Sequence, residues 1–401
     1  MKRYLIIGNG VAGARAAIKI REIDPKGEIH VFTDEAYPFY YRVRFPEFIA
    51  KEITVKDITI HSLEYYQEKK IYLHLEEAIT NGNIDRKEVI SDSGKIYNFD
   101  ILLIATGGNA FVPQIKGVEK KGVFTLRKMK DAIRMKEFAD NVKQAILIGG
   151  GLVGLETGWA LLRRGIKVAV IEHNLRILPR QMDEEGAKIL QSKMEAMGFS
   201  FFLNAQTEAI IGGDNVEGII LKDGRLVDGE MVIISAGVRP NIDLAKSMGI
   251  KVNNGIIVND LLETEKEDIF AAGDVAEHRG RCYGIWPAAQ RQGEIAGINM
   301  AGGNIIYGGT VVSNKLKILG IDLTSSGEID VENKYEHKIK VDSKRGIYKK
   351  IVLRDDKIIG CILLGEKKGD SDILNAIEKQ INVREVKDFI LEENFDFNIL
   401  K

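Results

Sequence analysis

At 401 residues the chain is longer than one hydrophobic core usually serves, so two or three domains are expected. Its 57 basic and 58 acidic residues leave a net charge of −1, which gives no bulk electrostatic ground for binding nucleic acid or a membrane. Met1-Lys2-Arg3 run straight into an apolar strand with no room for a cleavable signal peptide, and no uninterrupted apolar stretch is long enough to span a bilayer, so a cytoplasmic protein is expected.

In chain order, the first predicted strand is Tyr4-Leu5-Ile6-Ile7, followed by Gly8, Gly10 and Gly13 at the opening of a helical pattern. In such a fingerprint the first glycine permits a tight turn and the second lets a pyrophosphate approach backbone N–H groups. The third allows close packing of helix on strand. The acidic residue that holds a ribose 2′-OH is expected about 20 residues onward; the next strand, from Glu28 to Thr33, supplies Asp34 and Glu35. A loop rich in aromatics and arginines (Tyr37 to Phe48) and a β-rich stretch lead to Ile101-Leu102-Leu103-Ile104. That strand has no charges and reads as buried on both faces, ahead of the turn Ala105-Thr106-Gly107-Gly108.

Phe111 to Thr125, with Pro113 and nearby glycines, reads as a connector. A second α/β unit runs from about Asp131 to Ser235. In it Ala145-Ile146-Leu147-Ile148 precedes Gly149, Gly151 and Gly154, the strand Lys167 to Ile171 ends at Glu172, and Met231 to Ile234 forms the last strand. After Gly237-Val238-Arg239-Pro240-Asn241, the apolar run Ile269-Phe270-Ala271-Ala272 stops at Gly273-Asp274 and reads as the close of the first nucleotide-binding unit, with the second inserted into it. From about Thr310 the pattern changes to alternating strands, Lys338 to Val341 and Tyr348 to Leu353, with a hairpin turn at Asp355-Asp356 and a helix from Asp372 through Ile377. The two cysteines, Cys282 and Cys361, are far apart and exclude a disulfide framework or an all-cysteine metal centre; no metal site is expected, and Cys361 reads as a core thiol.

Two complete fingerprints, each with strand, helix and acid, imply two bound dinucleotides. A carboxylate at Glu172 repels a 2′-phosphate and favours NADH over NADPH, although His173 and Arg176 stand close enough in sequence to soften that preference.

These motifs, taken together and in this order, resemble the FAD- and NAD(P)H-dependent oxidoreductases related to glutathione reductase. Within them the chain is most similar to NADH:rubredoxin oxidoreductases and the flavin module of NAD(P)H nitrite reductases. Those share the element seen here as Pro38-Phe39-Tyr40-Tyr41-Arg42 and the helix seen as Gln292-Gly293-Glu294-Ile295-Ala296-Gly297. The resemblance implies an α/β fold of two Rossmann-like domains, with the NAD domain inserted in the FAD domain, plus a C-terminal α+β domain. The expected boundaries are 1–113 and 235–309 for FAD, 114–234 for NAD(H) and 310–401 for the last domain.

It further implies that Gly8, Gly10, Gly13 and Glu35 or Asp34 bind the ADP half of FAD, with Thr106, Gly107, Gly237 and Gly273 as cofactor contacts. Asp274 is expected at the ribityl chain or phosphates, Arg42 beside the isoalloxazine, and Glu156 where nicotinamide meets flavin; the plainer reading of Glu156 is a carboxylate favoured at a helix start. Trp286 either flanks the flavin or packs in the core.

Disulfide reductases of this superfamily carry a cysteine pair and a C-terminal His-Pro, and other relatives a single cysteine just after the position of Arg42. Here the sequence is Val43-Arg44-Phe45-Pro46-Glu47, which disfavours thiol redox chemistry. Val43 replaces a usual proline, and Glu47 stands where ferredoxin-reductase relatives often have a lysine facing the flavin. The expected activity is hydride transfer from NADH to FAD and electron delivery to a separate small carrier such as rubredoxin. Arg42, Arg44, Arg279, Arg281 and Arg291 are expected either as a basic rim steering that carrier or as solvated arginines in local ion pairs. The alternatives are an NADH oxidase making hydrogen peroxide and a flavin-bearing, NADH-responsive subunit of a larger complex. The sequence leaves the oligomeric state open.

Overall fold

The structure, a computed structural model, describes residues 1–318 and 320–400, apart from the side chain of Lys317. Leu319 and Lys401, which fall in the expected C-terminal domain, lie outside the described residues.

The chain opens with β1 (Arg3–Ile7), α1 (Val11–Ile23), β2 (Glu28–Phe32), β3 (Ile71–His74) and β4 (Ile101–Ile104). A second run comprises β5 (Val123–Phe124), α2 (Met129–Phe138), β6 (Gln144–Ile148), α3 (Leu152–Leu162), β7 (Lys167–Ile171), α4 (Glu184–Ala196), β8 (Phe199–Phe202) and β9 (Met231–Ile234). The chain returns through β10 (Ile269–Ala271) and α5 (Trp286–Met300). It closes with β11 (Ser313–Ile318), β12 (Ile321–Gly327), β13 (Glu336–Asp342), β14 (Ile347–Arg354), β15 (Lys357–Leu364) and α6 (Asp370–Lys379).

Two parallel five-stranded sheets result, in the orders β10-β4-β1-β2-β3 and β8-β7-β6-β9-β5. In each, the strand ahead of the fingerprint lies between the strand that follows it in the motif and one that returns later. This is the switch point at whose carboxyl edge such sheets bind ligands. Both β4 and β9 are buried along their whole length, as their unbroken apolar runs require. Part of the expected connector is structured: Val123 and Phe124 pair with Val232 and Ile233 as the edge strand β5. Two residues are too few to show a period in sequence.

The recurring glycines of α5 have a packing cause. A Cβ on Gly293 would stand 2.3 Å from the Ala12 carbonyl oxygen, and one on Gly297 2.6 Å from that of Ala16. Helix α5 therefore lies directly on the alanine face of α1 and fixes it against the first sheet.

The C-terminal sheet is antiparallel, in the order β11-β12-β15-β14-β13. Asp355 and Asp356, at φ +52° and +56°, make the expected hairpin turn, and α6 is the expected helix. One face of the sheet packs Tyr348, Ile362 and Leu364 into a core shared with Ile177, Leu178, Met182 and Leu190 of the second unit. The other packs Cys361 and Leu363 against Ile373 and Ile377 of α6. Burial on both faces, at about 1.5–3 kcal/mol for each large aliphatic side chain, explains why β14 is buried up to its last residue.

Candidate functional site

Both fingerprints adopt the same geometry. Gly8 has φ +113° and donates its N–H to Phe32 O at 2.8 Å; Gly149 has φ +114° and donates to Ile171 O at 2.8 Å. A Cβ on Gly13 would lie 1.9 Å from Gly8 O, and one on Gly154 would lie 2.6 Å from Gly149 O, so each helix rests on its own turn. Gly10 and Gly151 are the N-caps of α1 and α3, and neither helix start has a side-chain cap. The first-turn N–H groups are thus left for an anion.

The first fingerprint opens into a cleft of about 300 Å³. Gly8 and Gly10 form one wall, Asp34 and Glu35 one end, and Thr106, Gly107, Gly273 and Asp274 the opposite side. Arg42 and Trp286 also line it. Val153 and Glu156, one turn apart on α3 of the second unit, face into the same cleft. Gly13, Gly149, Gly151, Gly154, Glu172 and Gly237 lie outside its lining.

Arg127 supplies most of the cleft's internal order, and sequence reasoning missed it. Its Nε donates to Gly108 O at 2.7 Å and its Nη2 to Asp274 Oδ2 at 2.6 Å. Burial and the neighbouring Arg42 push Arg127 below its ordinary value, while Asp274 opposes them. At the far end Lys128 Nζ binds Asp34 Oδ2 at 2.5 Å. Tyr40 donates to both oxygens of Glu35, at 2.9 and 2.7 Å, and Met129 N–H donates to Glu35 Oε2 at 3.1 Å. Burial, reinforced by Glu35, raises the Tyr40 hydroxyl far above its usual range, with Arg42 opposing. No signal in the sequence marks Arg127 and Lys128, since the strand Val123–Phe124 ahead of them is too short to show a period.

Thr106 Oγ1 donates to Asn241 O at 2.8 Å, and Asn241 N–H donates to Gly107 O at 2.9 Å. Gly237, at φ +111°, accepts from Phe111 N–H at 2.9 Å. The Gly237–Asn241 run thus braces the Thr106 turn, and only Asn241 of it lines the cleft. Trp286 stacks on Phe39 at 5.9 Å and meets Tyr41 edge-on at 4.5 Å, so it both packs and lines the cleft.

Glu172 is buried, with one oxygen accepting from Asn174 N–H and Nδ2 at 2.8 and 2.6 Å and the other from Gly150 N–H at 2.7 Å. That second oxygen retains acceptor capacity. Glu47 is turned to Arg44, whose Nε donates to it at 2.8 Å, and lies outside the cleft lining.

The five arginines do not form a common rim. Arg42 alone lines the cleft, Arg44 holds Glu47, Arg279 holds Asp260 at 2.7 Å and Arg291 faces Glu294 at 3.6 Å, while Arg281 is exposed. Arg44 and Arg291 pair with carboxylates three residues on, as the reading of local ion pairs expected, whereas Asp260 lies far from Arg279 in sequence. Cys361 is fully buried, and burial pushes its thiol up to about 12. Burial and the carboxylates of Glu277 and Asp274 raise Cys282 to about 11. Neither lines the cleft. Among the described residues, no group of three or more His, Cys, Asp or Glu side chains is placed to hold a metal ion, and no helix is long and apolar enough to cross a membrane.

Residues 2–293 match the family described as pyridine nucleotide-disulphide oxidoreductase, and residues 313–381 match the rubredoxin NAD+ reductase C-terminal domain. The chain belongs to the pyridine nucleotide-disulphide oxidoreductase family. It is 31% identical over 380 residues to the NADH-rubredoxin oxidoreductase of Clostridium acetobutylicum, covering 94% of each. A solved structure of NADH:rubredoxin oxidoreductase from that organism superposes with a TM-score of 0.81 at 28% identity, over 96% of this chain and 97% of that one. The chain is also 37% identical over 387 residues to a nitrite reductase [NAD(P)H] of Bacillus subtilis, covering 96% of this chain and 48% of the relative. It therefore spans about half the length of the first curated relatives it matches.

FAD and NAD(P)H are the cofactors of the pyridine nucleotide-disulphide oxidoreductases, and the residues present fit a flavin dinucleotide in the first cleft. Asn9, between the first two fingerprint glycines, accepts from Tyr66 through Oδ1 at 2.7 Å, but its buried Nδ2 has no partner among the described residues, and Asn9 lines the cleft. A Cβ on Gly10 would meet only Arg42 Nη2, at 3.8 Å, leaving the backbone open to a ligand.

Proposed function

We propose that this chain is an NADH-dependent flavoprotein reductase that delivers electrons to a separate small redox protein of the rubredoxin type. The observation that carries the reading is the shared cleft: Glu156 and Val153 come from the second fingerprint's helix, yet face the cleft built by Gly8, Gly10 and Asp274 of the first. Two nucleotides bound at their own fingerprints would bring their reactive ends together there.

In this reading Gly8, Gly10, Gly13 and the open start of α1 hold the FAD pyrophosphate, and Glu35 or Asp34 the adenosine ribose. Asn9 donates its free Nδ2 to the same phosphates. Arg127 holds Asp274 toward the ribityl side, and Thr106, Gly107, Gly273, Arg42 and Trp286 surround the ring end. FAD, when bound, supplies a hydride acceptor that can give up electrons singly. Gly149, Gly151 and Gly154 hold the NADH pyrophosphate, and Glu172 takes its ribose and disfavours NADPH. Glu156 positions the nicotinamide. The corresponding domains are 1–113 with 235–309, 114–234 and 310–401, in a cytoplasmic protein.

The raised thiols, neither of which lines the cleft, favour transfer without a cysteine intermediate. The 37% identity to part of a nitrite reductase favours one second reading, in which the same module hands its electrons to a larger partner complex.

The test is anaerobic reduction of the purified protein with NADH, followed by reoxidation with oxidised rubredoxin or with air. Fast transfer to rubredoxin and slow reaction with air are expected. Fast reaction with air alone would make the protein a peroxide-forming oxidase, and a flavin that NADH does not bleach would overturn the proposal.

A further inference from the structure

We infer that the C-terminal sheet holds the NADH site in shape through Tyr348, Lys350 and Asp183, so that these positioning residues set the affinity for the adenosine half of NADH. The inference rests on the NADH reading above and adds a function for the sheet.

Asp183 is the N-cap of α4 and is 8% exposed, with Oδ1 accepting from Gly186 N–H at 3.1 Å. Its Oδ2 faces the C-terminal sheet, accepting from the Tyr348 hydroxyl at 2.5 Å and lying 3.3 Å from Lys350 Nζ. Both partners come from β14, and both are fully buried. Lys350 Nζ also donates to Asp330 O at 2.8 Å and Asn333 Oδ1 at 3.0 Å, which anchors it to the connection between β12 and β13. A Cβ on Gly186 would come within 2.8 Å of the Tyr348 ring, so α4 begins in direct contact with the sheet.

From Asp183 the connection runs back to the fingerprint. Met182 and Gln181 donate their N–H groups to Leu178 O, each at 2.9 Å, and Leu178 donates to Gly150 O at 3.0 Å. Gly150 N–H in turn binds Glu172. Leu178 is fully buried at φ +48°, a conformation that persists only where the surroundings impose it. Arg176 closes the loop by donating to Met182 O at 3.0 Å and Pro179 O at 3.1 Å. Segment 172–183 is thus pinned at one end to the second fingerprint and at the other to β14.

This segment carries the carboxylate assigned to the adenosine ribose, whereas the nicotinamide end is set by Glu156 in the shared cleft. Loosening the β14 anchor therefore costs preorganisation at the adenosine end and leaves the reacting end in place.

The test uses the holoenzyme with Tyr348→Phe, which removes one hydroxyl and keeps the ring on Gly186, and Lys350→Met as a second variant. Flavin reduction is followed by stopped flow with NADH and with reduced nicotinamide mononucleotide, which lacks the adenosine half. Expected are a Kd for NADH raised about five- to tenfold, an unchanged limiting rate, and unchanged reaction with the mononucleotide. An NADH Kd equal to wild type in a folded, flavin-loaded variant overturns the inference alone, as does parallel weakening with both donors. A wild-type flavin that NADH does not bleach overturns the functional reading and this inference together.

Discussion

Gly8 and Gly149 occupy the same left-handed backbone conformation and press on equivalent carbonyls: a Cβ would come within 2.2 Å of Ala105 O in the first case and 2.4 Å of Ser235 O in the second. Neither position tolerates a side chain, since the backbone angle alone costs about 1–2 kcal/mol for an L residue and the clash adds to it. The two substitutions should nevertheless have different phenotypes. Gly149→Ala is expected to retain bound flavin while its Kd for NADH rises at least about tenfold; Gly8→Ala is expected to purify largely free of flavin. Visible absorbance and NADH titration of the two variants check this, and equal flavin content in both would contradict it.

Arg127 joins Gly108 O to Asp274 through two nitrogens of one planar group. Lysine cannot reproduce that fork. Arg127→Lys is expected to lower flavin affinity about tenfold, and Arg127→Leu to lower stability by about 1–3 kcal/mol as well, because it leaves Asp274 unpaired. Flavin retained through gel filtration, together with the midpoint of thermal unfolding, reports both effects.

Glu156 faces the cleft from the second unit. Glu156→Gln keeps its volume and removes its charge, so flavin content is expected to stay at the wild-type level. The limiting rate of flavin reduction by NADH is expected to fall by about tenfold, roughly 1.4 kcal/mol of barrier. A change in Kd alone would make Glu156 a binding group.

His74 lies at the end of β3, 2.9 Å from His30 Nδ1, in a stack with Phe32. Burial first, and then His30, hold it below its ordinary value, while Glu77 opposes them. The native state thus binds its proton less readily than the unfolded chain. The stability it contributes is full above about pH 6.5 and is lost as pH falls through the depressed value. His61, lowered by burial and by Arg15, acts in the same direction. Between about pH 7 and about pH 5 the unfolding temperature is expected to fall, and His74→Gln should flatten that slope. A variant slope as steep as wild type would remove His74 from the account.

The fingerprints were legible because their work is done by backbone. Gly8 and Gly149 are required by φ and close approach, and such requirements appear as glycine whatever surrounds them. The strands β4 and β9 were legible because burial on both faces leaves an unbroken apolar run. Arg127 was not, since nothing in its own neighbourhood announces Asp274, a partner brought to it only by the assembled fold. Of the two readings of the arginines, local ion pairs hold for Arg44 and Arg291, whose carboxylates stand three residues on, while only the assembled fold brings Asp260 to Arg279. Tyr348 and Lys350 lie in a strand expected to alternate but buried on both sides, so their polar ends gave no warning of Asp183.

The strand Ile269–Ala271 pairs with Ile101–Ile104 only after the whole second sheet has been threaded. On the ribosome, the first fingerprint therefore emerges long before its closing strand, before Gly273 and Asp274, and before the helix whose glycines clasp α1. The strands Gln144–Ile148 to Met231–Ile234 are contiguous in sequence and emerge in the interval, but Tyr348, Ile362 and Leu364, which complete their core, come later still. A nascent chain arrested before Ile269 therefore carries a first unit still open along its edge and a second whose core still lacks the C-terminal sheet.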